Sequence, residues 1–318
     1  MVINYPVLFV ISDNYLLLLS KWGFLMVVNS LLALIGKTPV VEFEGLYIKL
    51  EGFNLTGSIK DRPALRMIEG LEKDGILKHD DVIVEPTSGN TGISLAAIGA
   101  IKGYKVILVM PETMSKERRQ IMNAYGAQII LTPSAGGMEA SIIEAKRLVE
   151  TKGYIMPSQF TNYYNTLSHI EGTAQEIIND FAQLDYVVAG IGTGGTISGL
   201  GYELKKHYPN IKIVGVEPAE SPFLSKGERG LHSIQGIGAG FIPDIYNPKV
   251  VDTIEVVLSN DAKEETKRLS KKGLFVGISS GAAILVASRI LKTKDIKKVV
   301  LVISPDSGHK YLSTNIYE

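Results

Sequence analysis

Lys60 sits in the run Gly57-Ser58-Ile59-Lys60-Asp61-Arg62-Pro63. Three loops rich in Gly, Ser and Thr follow it: Thr87-Ser88-Gly89-Asn90-Thr91-Gly92, Gly192-Thr193-Gly194-Gly195-Thr196 and Pro305-Asp306-Ser307-Gly308. A lysine amine relieved of its proton attacks an aldehyde and holds it as a Schiff base. Ile59 and Ser58 place no cation beside Lys60, Asp61 and Arg62 can pair elsewhere, and a low-dielectric pocket would bring its pKa down. A glycine-rich turn lets backbone N–H groups approach a phosphate, and a helix N-terminus behind it adds positive potential. Val187-Val188-Ala189-Gly190 reads as a buried strand ahead of Gly192–Thr196. Ile197 to His207 reads as the helix after it, and Thr193 and Thr196 add hydroxyl donors. Together these are the parts needed to hold an aldehyde that also carries a phosphate.

Each part has a plainer reading when taken alone. Strand, glycine loop and helix also describe a dinucleotide site, or a tight turn with no ligand. A Walker lysine is missing, and Glu217, after Val216, is the nearest candidate for an acidic ribose partner. The Thr87–Gly92 loop joins a strand to a helix, so its side chains and N–H groups converge at the carboxyl end of a sheet and suit a carboxylate. It equally suits an ordinary capped helix start. Ser307 follows the last strand, where a plain turn would also fit. The five histidines lack metal-ligand spacing and are read as structural or surface residues.

The elements that must position these loops are legible as an alternation. Val82-Ile83-Val84, Val106-Ile107-Leu108-Val109 and Ile129-Ile130-Leu131 precede helical stretches near 91–102, 115–125 and 138–151. The pattern restarts with a helix near 165–181, the strand Tyr186–Ala189, a helix near 197–207 and the strand Ile213–Val216. It ends with Ile254–Val257, helices near 260–272 and 281–292, and the strand Val299–Ile303. Short β-branched runs separated by amphipathic helices predict doubly wound α/β sheets, in two units split near residue 160. The segment 218–248 carries many Gly and Pro and little periodicity; a loop of that length inside a compact enzyme is usually functional.

Composition narrows the classes further. The chain has 318 residues, enough for two domains or one large one, and its 45% hydrophobic and 21% charged residues are ordinary for a globular protein. Lys+Arg and Asp+Glu number 33 each, so the total charge points to neither nucleic acid nor an acidic membrane surface. With no cysteine there is no disulfide framework, Cys-based zinc site or thiol nucleophile. Residues 1–25 are strongly apolar, but Asp13 and Lys21 break the run below the length of a membrane span. No basic residue precedes the first apolar run, as a secretory signal would need. This segment is read as a mis-assigned extension ahead of a true start at Met26, with an added edge strand or an interfacial anchor as alternatives.

Taken in order, the segments resemble cysteine synthase, the O-acetylserine sulfhydrylase group of fold-type II pyridoxal-phosphate enzymes. The likeness runs from Ile35-Gly36-Lys37-Thr38-Pro39-Val40 through the Lys60, Thr87, Pro157-Ser158-Gln159-Phe160 and Gly192 segments. It continues to Gln235-Gly236-Ile237-Gly238-Ala239-Gly240-Phe241, Gly277-Ile278-Ser279-Ser280-Gly281-Ala282 and Tyr311-Leu312-Ser313-Thr314. The resemblance implies two doubly wound α/β domains of the tryptophan synthase β-like class. Residues 26–50 plus 162–318 would form the larger, cofactor-binding domain, and 51–161 the smaller domain that closes over substrate.

It also implies roles. Lys60 would hold pyridoxal 5'-phosphate and act as acid and base on the substrate α-carbon. Asn90 would bind the cofactor's phenolic oxygen, Gly192, Thr193, Gly194, Gly195 and Thr196 its phosphate, and Ser307 its pyridine nitrogen. A hydroxyl there leaves that nitrogen largely unprotonated, which weakens the electron sink and favours expulsion of a β-leaving group. Thr87, Ser88, Gly89, Thr91 and Gln159 would hold the substrate carboxylate, with Gly236, Ile237 and Gly238 lining the entrance. The implied reaction is β-replacement of O-acetyl-L-serine by sulfide through an aminoacrylate, giving L-cysteine, in a cytoplasmic homodimer able to bind a serine acetyltransferase C-terminal tail.

The entrance loop resembles the acetylserine type, while Arg229 and Lys226 upstream keep O-phosphoserine open. Asp306-Ser307-Gly308-His309 departs from the commonest acetylserine form, and similar Pro-Asp-Ser runs occur in cystathionine β-synthases. The competing readings are therefore an O-phosphoserine sulfhydrylase, a cystathionine β-synthase or a sulfide-releasing cysteine lyase on the same site. Outside that group stand a catalytically inert acetyltransferase-binding protein, which an intact Lys60 disfavours, and a dehydrogenase.

Overall fold

The computed structural model describes residues 7–12, 15–20, 23–293 and 298–318. β1 (Val7–Ser12), β2 (Tyr15–Ser20) and β3 (Gly23–Val28) form an antiparallel meander that is a sheet of its own. The segment read as an extension thus lies partly outside the described residues, and where described it is extended chain.

β4 (Val40–Phe43) and β5 (Leu46–Leu50) form a hairpin that the strand reading did not include. Glu44 and Gly45, with φ of 52° and 79°, make the two-residue turn whose left-handed backbone matches strand twist. The chain then runs through α1 (Asp61–Lys73), β6 (Val82–Pro86), α2 (Asn90–Lys102), β7 (Lys105–Pro111), α3 (Lys116–Ala124), β8 (Gln128–Thr132) and α4 (Gly137–Lys152). β6, β7 and β8 form a parallel sheet in that order.

The single helix expected near 165–181 is instead α5 (Tyr163–Ser168), a wide π turn over His169–Thr173, and α6 (Ala174–Asp180). The π turn sets buried His169 against α7, a placement that apolar periodicity does not encode. After it come β9 (Tyr186–Gly190), α7 (Gly195–His207), β10 (Lys212–Pro218), α8 (Phe223–Lys226), β11 (Thr253–Val257), α9 (Ser259–Lys271), α10 (Ile278–Thr293) and β12 (Val300–Ser304).

The larger sheet has the order β11-β10-β9-β12-β5-β4, parallel except for β4. Its inner strands are buried on both faces. Leu269, Ala282 and Ala283 of α9 and α10 pack on one side, and Ile177, Leu200 and Leu204 of α6 and α7 on the other. All five residues of β12 are buried, the continuous apolar run expected of a central parallel strand. The smaller sheet is covered in the same way, by α1 and α2 on one face and α4 on the other. Both sheets are therefore doubly wound.

This topology places a crevice. From β9 the chain proceeds outward to β10 and β11, yet the neighbour of β9 on its other side is β12. At such a switch point the loops after the two strands diverge and leave a gap at their carboxyl ends. The loops after β9 and β12 are Gly192–Thr196 and Pro305–Gly308.

Candidate active site

A cavity of about 760 Å³ opens at this switch point and shares part of its lining with a smaller one of about 30 Å³. Lys60, Gly192 and Thr193 line both. Lys60 directly precedes α1 and is held by a strand-like contact, Ile59 N–H donating to Pro305 O at 2.8 Å. Burial drives its amine pKa down, and the negative charge of Asp306 opposes that shift in part. Its neighbours are engaged elsewhere: Asp61 accepts from Thr56 and Ser94, and Arg62 is locked between Glu51 and Glu176. The lysine is thus the cation left facing the crevice from this segment.

The cradle beside it is built from missing side chains. A Cβ on Gly192 would lie 2.3 Å from Gly236 O, and Gly194 needs φ of +83° to enter α7. Gly192, Thr193, Gly194 and Thr196 line the smaller cavity. Gly195 lies behind them, where a Cβ would meet Asn165 Oδ1 at 2.2 Å. Asn165 steadies the cradle through Thr193 Oγ1 at 3.1 Å. His169 stands 3.1 Å from Thr196 Oγ1, and burial together with nearby Arg62 and Lys60 holds its pKa well below the usual value. A neutral imidazole can accept or donate there without adding charge.

The opposite wall comes from the smaller sheet. Thr87, Ser88, Gly89, Asn90 and Thr91, after β6, all line the larger cavity, as does Gln159. Thr91 Oγ1 donates to Gln159 Oε1 at 2.7 Å, which leaves the Gln159 amide hydrogens for another partner. Glu85, at the end of β6, accepts from Ser158 N–H at 2.8 Å and Gln159 N–H at 3.0 Å. Burial raises its pKa to about 7, against the pull of those two donors.

Two expected residues stand elsewhere. Ser307 is not among the residues lining either cavity. Its hydroxyl lies 3.2 Å from His309 Nδ1, and its backbone pairs with Val276. Successive residues of an extended chain point to opposite sides, so Asp306 faces the cavity and Ser307 faces away. The serine lining the cavity on this side is Ser279, in the first turn of α10, with the Ser280 hydroxyl behind it 2.9 Å from Ser304 Oγ. Gly236 and Ile237 line the cavity but Gly238 does not. Gly238 turns at φ +69° against Pro218 and His232, with its carbonyl 3.1 Å from His232 Nε2.

Two charged candidates are also reassigned. Glu217 is buried and accepts from Leu224 and Ser225 N–H, closing the start of α8, so it is not free for a ribose. The Arg229 guanidinium lies over the Phe223 ring, 4.9 Å from its centroid.

Sequence reading missed Glu85, Asp306, Arg118 and Lys310. Arg118 lines the cavity from α3, 5.4 Å above the Tyr311 ring centroid. Nothing in the local pattern flags it, since charged residues on α3 are expected to be solvated. Asp306 had a signal, a carboxylate two residues after the end of the buried strand β12.

The pattern of pyridoxal-phosphate dependent enzymes matches residues 31–306. The chain belongs to that family. It is 48% identical over 301 residues to a cysteine synthase of Staphylococcus aureus, covering 91% of this chain and 97% of that one. Among solved structures, O-acetylserine sulfhydrylase isoform 3 from Entamoeba histolytica superposes with a TM-score of 0.88 at 42% identity, covering 92% of each chain. A hydrogen sulfide-producing enzyme from Fusobacterium nucleatum superposes with a TM-score of 0.86 at 46% identity, covering 90% of this chain and all of that one. These likenesses accord with two doubly wound α/β units around one crevice.

The residues present fit pyridoxal phosphate. The Gly192 cradle has no room for a side chain, α7 directs its N-terminus at the cradle, and the half-buried Lys60 borders the same space.

Proposed function

We propose that this enzyme makes L-cysteine from O-acetyl-L-serine and sulfide by β-replacement. The observation that carries the reading is one cavity lined by Lys60, by Gly192 and Thr193 of the cradle, and by the Thr87–Thr91 and Gln159 clamp. Pyridoxal phosphate, when bound, supplies an electron sink that stabilises negative charge at the substrate α-carbon. Every remaining task falls to the chain.

Gly192, Thr193, Gly194 and Thr196, with the α7 N-terminus, would hold the phosphate, and Asn90 the ring oxygen. Lys60 would hold the cofactor's aldehyde carbon. Once substrate displaces it, its amine would take and return the α-proton, a role suited to a lysine whose pKa burial has lowered. Thr87, Ser88 and Thr91 hydroxyls and the Gln159 amide would grip the substrate carboxylate, orienting the α-hydrogen toward Lys60. The hydroxyls of the α10 first turn, rather than Ser307, are the candidates to face the ring nitrogen. A neutral partner there leaves the nitrogen uncharged and favours departure of the β-substituent.

The acetyl ester fits the entrance better than a phosphate ester. Gly236 and Ile237 bring no cation, and Arg229 is stacked on Phe223. The reading extends to a homodimer, able to accept the C-terminal tail of a serine acetyltransferase in the active site, working in the cytoplasm. No helix among the described residues is long and apolar enough to cross a membrane. The 46% identity to a hydrogen sulfide-producing enzyme favours a second reading, in which the same groups release sulfide from cysteine.

Steady-state turnover of O-acetylserine, O-phosphoserine, serine and cysteine decides among these, each donor being tested with sulfide and with homocysteine. We expect O-acetylserine with sulfide to lead, exceeding O-phosphoserine at least about tenfold in kcat/KM, roughly 1.4 kcal/mol. Faster sulfide release from cysteine than cysteine formation would replace the first reading with the second.

A further inference from the structure

Asn90 opens α2 and lines the cavity, and charged groups occupy both ends of its side-chain amide. Its Nδ2 donates to Asp306 Oδ2 at 2.7 Å, and its Oδ1 accepts from Lys310 Nζ at 3.0 Å. A lysine ammonium has only donors and a carboxylate only acceptors, so the amide has a single orientation between them. Turned over, it would set N–H against N–H and oxygen against oxygen. One Nδ2 hydrogen remains unspent.

Asp306 is itself fixed. It is 1% exposed, and Tyr311 OH donates to the same Oδ2 at 2.7 Å. Its Oδ1 has no hydrogen-bond partner among the described residues and rests over Gly277, where a Cβ would lie 2.1 Å away. Its backbone is bridged to Ser58, two residues from Lys60. The charged and titratable groups acting in this cluster are Lys60, Asp61, Arg118, Lys310, Tyr311 and Tyr317.

We propose that Asp306 and Lys310 are positioning residues for the cofactor: they lock the Asn90 amide so that its free N–H, never its carbonyl oxygen, is presented to the anionic ring oxygen. The inference rests on the placing of pyridoxal phosphate proposed above. A reversed amide would set oxygen against oxygen at that point, so the lock acts on cofactor binding through Asn90. Tyr311 completes it by holding the Asp306 carboxylate.

The test is a double-mutant cycle on cofactor binding. Asp306→Ser and Lys310→Met are each made in the natural chain and in an Asn90→Ala background. Apoenzyme prepared from each holoenzyme is titrated with pyridoxal phosphate, and the dissociation constant and the position of the visible absorbance band are recorded. In the natural background each substitution should weaken binding about tenfold and move the band. In the Asn90→Ala background each should weaken it less than about threefold and leave the band in place. Equal losses in both backgrounds, or none in the natural one, overturn the proposal. If Asp306→Ser does not fold, Asp306→Ala, which also removes the acceptor, replaces it and is judged by the same criteria. A natural chain that binds no pyridoxal phosphate would instead refute the cofactor site itself.

Discussion

Replacing Glu85 by Gln separates the geometry of the substrate clamp from its charge. The carboxylate accepts from two adjacent N–H groups, those of Ser158 and Gln159, and Ser158 adopts a left-handed φ of 59°. Gln offers one oxygen and one NH₂, so it can satisfy one of the two N–H groups and opposes the other. A hydrogen bond to a charged group is worth about 1.5–3 kcal/mol. If about half of one such bond, roughly 1.4 kcal/mol, falls on the substrate-bound state, KM for the amino-acid substrate rises about tenfold. The carboxylate touches no reacting atom, so kcat should change less than about threefold.

The pH dependence follows from the pKa near 7, against 4.5 for an ordinary glutamate. Between those values the folded state holds a proton that the unfolded chain has released. Ionising Glu85 therefore costs stability as pH rises from about 4.5 to about 7, on the order of 3 kcal/mol. The grip on Ser158 and Gln159 runs the other way and is strongest above pH 7, where the carboxylate is charged. The assay is KM for O-acetylserine from about pH 6 to 8.5 in both proteins. In the natural enzyme KM should climb toward the variant's value as pH falls below 7, while the Glu85→Gln curve lacks that step. Parallel curves, or a variant that loses kcat alone, would refute the argument.

Gly192→Ala places a Cβ against Gly236 O, a backbone atom that cannot rotate away, so the cradle and the entrance loop must both shift. Cofactor retained after dialysis should fall at least about tenfold, and full retention would show that the cradle is elsewhere. Ser280→Ala and Ser279→Ala should each slow β-elimination more than Ser307→Ala, measured by rapid-scan absorbance. A dominant effect of Ser307→Ala would restore that residue to the ring nitrogen.

Much of the fold was written in short-range pattern. Val82–Val84, Val106–Val109 and Val299–Ile303 are β-branched runs of strand length, and α1 and α9 carry the period that buries one face, whereas α2 is buried all round. The loops Thr87–Gly92 and Gly192–Thr196 were legible because glycine and hydroxyl residues at a strand-to-helix junction have few other uses. The β4–β5 hairpin was harder to see, since its residues mix polar and apolar types and only the Glu44-Gly45 turn marks it.

What the sequence determined by itself was therefore local: which segments are strands or helices, that Lys60 has no cation beside it in the chain, and that glycine cradles end particular strands. The tertiary structure decided which side chains share a space. That β12 lies beside β9 depends on strand order, which no local window contains, and this adjacency makes the crevice. Whether Asp306 or Ser307 faces it depends on the phase of one extended segment, because side chains alternate and a shift of one residue exchanges them. Glu217, the nearest candidate in sequence for an acidic ribose partner, is consumed by the start of α8. Glu85 and His169 acquire their roles only through burial against Ser158, Gln159 and Thr196, contacts that span up to 74 positions and arise from packing alone.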